Sequence, residues 1–383
     1  MQGDHPGWGG VLDAVVRDAA ITSDGDLLLV DSPGIPMADL QSVILREIIR
    51  EGGPVIIQSG TAITWTALQA AWECGRLDDV AWYDHPGIHE QADSDTRHTG
   101  LRFSPFQAGS PQDQARFLAS LVRHADTVPI EINAREREAA ADLASRLLDG
   151  VSLTPNLRIA DIVSAIEANP TPMQEVIAGW KSELPDALRK NPERIVDFVN
   201  ATLLSFTPSL AHLDPREGDR PVSIEDLIDR NAIIIIPGEE PGAEPLHYDI
   251  YMREALINAV SRMPRPGRPL TLCLGMGSWI YRLAHDSVPG LARDGMRNPD
   301  IRLLGMIWSI DGHVQAGLER HFAAMILAPH HGSVARATPP HYSGCLRHVD
   351  EQRDDQMFTF SLWPERLGWN MTLPANQFRE AAC

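Results

Sequence analysis

Short apolar runs alternate along most of this chain with stretches whose apolar residues recur every three or four positions. The runs are "DLLLVD" (26–31), "PVIIQS" (54–59), "VAWYD" (80–84), "LRFSPF" (101–106), "AIIIIP" (232–237), "LTLCLG" (270–275), "IRLLGMIWS" (301–309) and "FAAMILA" (322–328). Runs of this length predict strands, and the ten or more residues of helical spacing after several of them predict crossover helices. Strand and helix in alternation predict a mostly parallel sheet covered by helices, an α/β fold.

Between about 135 and 229 the strand signals stop. "AREREAAADLASRLLDG" and "NPERIVDFVNATLLSF" carry apolar residues at three- and four-residue spacing, with Pro and Gly at the joins. The pattern predicts an α/β domain made of 1–134 and 230–383, with residues 135–229 inserted as an all-helical domain. "SIEDLIDR" places Ser223 as a helix N-cap with Asp226 three positions on, close to a capping box. "LLLVDSPGI" and "VAWYDHPGI" repeat an Asp-x-Pro-Gly-Ile turn after a strand, which steric preference for Pro and Gly in turns explains.

Composition narrows the function classes. The 383 residues hold 33 Lys plus Arg against 52 Asp plus Glu, a net charge of −19, and no basic block offsets it locally. Such a chain repels polyanions, so direct nucleic-acid binding is disfavoured. Cys74, Cys273, Cys345 and Cys383 share no CxxC spacing, which argues against a zinc site or a disulfide framework and fits a reducing cytoplasm. The longest apolar runs are too short to span a bilayer, and the N-terminus has no basic, apolar leader, so a soluble cytoplasmic protein is expected.

Residues 51 to 75, "EGGPVIIQSGTAITWTALQAAWECG", have the outline of a phosphate-binding loop: a strand, a small-residue turn and a helix. A working loop reads GxxxxGK[ST], in which glycines bring backbone N–H groups around the phosphates, Lys reaches the terminal phosphates and Ser/Thr holds magnesium. In register, Gln58 takes the place of the first Gly, followed by Ser59, Gly60 and Thr61. Ile63 replaces the second Gly, Thr64 the Lys and Trp65 the Ser/Thr. The flexibility, the charge and the metal-binding hydroxyl are all lost, and Gln58 or Trp65 could fill the space a phosphate would take. No cofactor is called for.

Other constellations have both functional and ordinary readings. His330 and His331, with His341, Asp311 and His313, could supply metal ligands, or lie in a solvated loop. His85, His89 and Glu90 flank a Pro-Gly turn and could be half of a metal site, or simple turn residues. Asp31 ends a strand, where α/β proteins place functional carboxylates, and could equally cap a turn. Ser59 sits at a strand–turn–helix junction without the G-x-S-x-G flanks of a nucleophile elbow.

The order of the segments resembles the type IV coupling proteins, the RecA-like hexameric ATPases of conjugation and type IV secretion. The family has a strand ending in Asp-Pro-Lys-Gly-Glu, a later Asn-Pro-Phe before a helix, an all-helical domain, an Asp-Glu strand and a Gln-bearing strand. This chain has Asp84-His85-Pro86-Gly87, Ser104-Pro105-Phe106, the helical stretch and two further apolar strands in that order, over roughly residues 50 to 340. The resemblance implies a RecA-like, P-loop NTPase-type sheet.

The departures imply lost hydrolysis. Gly275-Met276 stand where the family's Walker B strand ends in Asp-Glu, and Trp308 stands near the place of the Gln that senses the γ-phosphate. The membrane anchor typical of the family is not found either. Arg293 and Arg297, just before a strand, lie near the family's conserved Arg and imply a face offered to a neighbouring subunit, though both could be solvated charges. Three readings remain at this point: an inactive, soluble coupling-protein-like subunit acting by protein contact, as a homo- or hetero-oligomer with an active ATPase or a secretion component; an enzyme with an unrecognised site at Asp31, Asp84, His85 and the His330 pair; and a divergent NTP-driven DNA translocase.

Overall fold

The computed structural model describes residues 27–30, 37–59, 61–83, 101–125, 128–154, 156–211, 213–214, 222–238, 247–263, 269–275, 279, 282–283, 291–293, 296–298, 300–307, 318, 322, 324–327, 341–348 and 356–361. They fall into two compact units. One comprises residues 1–81, 227–244 and 265–383; the other comprises 82–226 and 245–264.

The first unit is built on a sheet of β1 (Leu27–Val30), β2 (Val55–Ser59), β3 (Val80–Trp82), β4 (Ile233–Pro237), β5 (Leu270–Gly275), β8 (Ile301–Ile307), β9 (Ala324–Leu327), β10 (His341–His348) and β11 (Gln356–Ser361). Their order is β11-β10-β9-β1-β8-β5-β2-β4-β3. From β9 across to β4 the pairings are parallel, while β10 joins β9 and β11 antiparallel. The remaining strands, β6 (Ala292–Arg293) and β7 (Met296–Arg297), form a separate antiparallel pair.

The chemistry of the central strands explains their place. All of Ile233 to Pro237 and Leu270 to Leu274 are buried, as are Val55 to Gln58. Strands apolar on both faces are stable only with cover on both sides, which is the condition of a parallel sheet under crossover helices. Helix α1 (Met37–Glu51) precedes β2 and helix α2 (Thr61–Glu73) follows it. Helix α2 turns Ile63, Ala67, Leu68, Ala70 and Ala71 inward and packs against α1, β2 and β4. Arg46 of α1 reaches Glu73 of α2 at 3.1 Å.

Arg76, just past α2, fastens three backbone segments of this unit. Its guanidinium donates to the carbonyls of Ile49 (2.9 Å), Gly53 (3.2 Å) and Asn231 (2.5 Å). The fork geometry of Arg lets one side chain satisfy the end of α1, the turn into β2 and the turn into β4.

The second unit holds α3 (Pro111–His124), α4 (Ala134–Arg146), α5 (Ile159–Ala168), α6 (Thr171–Glu183), α7 (Pro192–Leu210) and α9 (His247–Arg262), together with the first half of α8 (Ile224–Asp229), whose residues from Leu227 on are counted in the first unit. Helix starts follow capping chemistry. Ser110 accepts from the Asp113 N–H while Asp113 accepts from the Ser110 N–H, and Asn133 and Glu136 do the same for α4. Ser223 caps α8, accepting from the Asp226 N–H at 3.1 Å, as its sequence predicts. Helix α9 is buried at every residue from Tyr248 to Val260, with α3 and α7 packed against it. Two of its buried charges meet: Glu254 bonds Arg253 at 2.8 Å and accepts from Ser120 of α3 at 2.5 Å. Phe117 of α3 meets Tyr251 of α9 and Phe106 edge to face, at 5.5 and 5.9 Å between ring centroids.

The run 101–106, expected as a strand, makes only the isolated bridge from Leu101 to Tyr83. Pro105 has no N–H to continue a ladder. The backbone turns instead: Ser104 Oγ donates to the Leu157 carbonyl at 2.9 Å and accepts from the Phe106 N–H at 3.2 Å, and Gln114 Nε2 donates to the Phe106 carbonyl at 2.8 Å.

Candidate nucleotide cleft

In a parallel α/β sheet, ligand sites form beyond the carboxyl ends of the strands, where a loop leads into a helix N-terminus. The β2–α2 junction has that form in the first unit. Gln58 lies at the carboxyl end of β2 between Ile236 of β4 and Leu274 of β5, and Ser59 is opposite Pro237. Thr61 starts α2. Gly60 lies outside the described residues.

Gln58 is 2% exposed. Its Oε1 accepts the indole Nε1–H of Trp279 at 3.0 Å, and Trp279 is itself buried. A buried amide carbonyl needs a partner, and this one finds a side chain at the carboxyl edge of the sheet. The carboxyl end of β2 thus presents a packed Gln–Trp pair.

The positions along α2 divide between core and surface. Ile63 is buried among the apolar residues of the unit, and Thr64 is buried too. Helical spacing turns Trp65 outward, and it is half exposed. Of the two residues expected to fill the phosphate space, Gln58 lies in the interior and Trp65 is half exposed.

The other sequence-derived positions are less gathered. Gly275 closes β5, opposite Met306 of β8, while Met276 lies outside the described residues. Arg293 and Arg297 fall on the β6–β7 pair, where Ala292 faces Arg297 and Arg293 faces Met296 in register. Asp31, Asp84, His85, His89, Glu90, Trp308, Asp311, His313, His330 and His331 lie outside the described residues, and His341 begins β10. Among the described residues, no group of three or more His, Cys, Asp or Glu could hold a metal ion. No helix among them is long and apolar enough to cross a membrane.

Trp279 is the site residue that periodicity does not reveal. The usable signal is topological: β5 runs parallel beside β2, so residues soon after Gly275 emerge at the edge where Gln58 ends.

No protein-family model matches the chain, and no curated protein matches it in sequence. Solved structures do match. The bacterial conjugative coupling protein TrwBΔN70 in its unbound monoclinic form aligns with a TM-score of 0.54 at 14% identity, over 90% of this chain and 78% of that one. The plasmid coupling protein TrwB in complex with ADP and Mg2+ gives 0.52 at 15% identity, over 79% and 70%. The trigonal form of TrwBΔN70 in complex with sulphate gives 0.51 at 15% identity, over 81% and 70%. At such identity the likeness is one of architecture: the chain is built on the RecA-like α/β fold seen in the bacterial conjugative coupling protein.

Proposed function

We propose that this chain is a cytoplasmic, coupling-protein-like subunit that does not hydrolyse nucleotide and acts through protein contacts in a conjugation or type IV secretion setting. The observation that carries the reading is the buried Gln58–Trp279 pair at the end of β2. TrwB has been captured with ADP and Mg2+. Here, by the loop register, the same kind of junction has Thr64 in place of the phosphate-binding lysine and Trp65 in place of the magnesium-binding hydroxyl, and Gly275 ends β5 where a catalytic carboxylate would stand. The charge of −19 argues for a protein rather than a nucleic-acid partner.

In this reading Arg293 and Arg297, on the β6–β7 pair, are offered to the nucleotide-bearing edge of an active relative. Two measurements test the function. Purified protein should release no phosphate from ATP above a blank, and it should co-purify with a coupling ATPase encoded beside it, less so after Arg293→Glu and Arg297→Glu together. Magnesium-dependent turnover, or a strictly monomeric chain that captures no such ATPase, would overturn the proposal.

A further inference from the structure

We draw no further inference here: the strongest candidate, the cluster of Arg102, Arg158, Asp161 and Asp214 where the residues just past α7 meet the start of α5 in the second unit, rests only on the upward shift of the Asp214 carboxyl, and nothing among the described residues shows a ligand or a movement that it would serve.

Discussion

The indole of Trp279 donates a 3.0 Å hydrogen bond to the amide oxygen of Gln58, joining positions 221 residues apart inside the β2–β5 end of the sheet. Both side chains are buried, so removing the donor takes away a hydrogen bond inside the core. Trp279→Phe is expected to cost about 2 kcal/mol, seen as a lower urea midpoint with an unchanged slope. An unaltered midpoint would show that the pair is not an internal fastening.

Gly109 has φ +85°, and a Cβ built there would lie 2.3 Å from Arg262 Nη1. Arg262, in turn, pairs with Glu225 of α8. Gly109→Ala therefore meets two obstacles, a left-handed backbone and a displaced guanidinium, and should destabilise the second unit by about 1–3 kcal/mol. Thermal melting of the variant beside Arg262→Ala checks this. A Gly109→Ala protein as stable as wild type would show that Arg262 has room to move.

Burial pushes the Asp214 carboxyl up to about 6; Arg158 and Arg102 pull against the rise and Asp161 adds to it. The folded chain thus holds this proton more tightly than the unfolded chain, whose ordinary value is 3.8. The Asp214 contribution favours folding below about 4, declines between about 4 and 6, and stays at its lower level above. Asp214→Asn mimics the protonated form. After allowance for the water that still reaches the group, it should stabilise by about 1–2 kcal/mol at pH 7 and by nothing near pH 4. A variant destabilised at pH 7 would mean that the ionised carboxylate is held by Arg158.

Much of the sheet was legible because its strands are dense in Ile, Leu and Val: the runs at 55–59, 233–237 and 270–275 became β2, β4 and β5. β10 and β11, "HYSGCLRH" and "QMFTFS", have few β-branched residues and no strict alternation, so neither was anticipated. The run at 101–106 looked like a strand by composition, but Pro105 and the Ser104 hydroxyl turned it. At the site, the proposed replacements of glycine, lysine and hydroxyl could be drawn from register alone. The burial of Gln58 by Trp279 could not, since it depends on two distant strands lying side by side.

The most direct test of the account is a calorimetric titration of the full chain with ATP and magnesium. With Gln58 tied to Trp279 and Thr64 in place of lysine, no binding heat should appear at nucleotide concentrations up to about 1 mM, corresponding to an affinity no stronger than about −4 kcal/mol. A saturating, magnesium-dependent isotherm with a micromolar Kd would contradict it, because the cleft would then still hold phosphate.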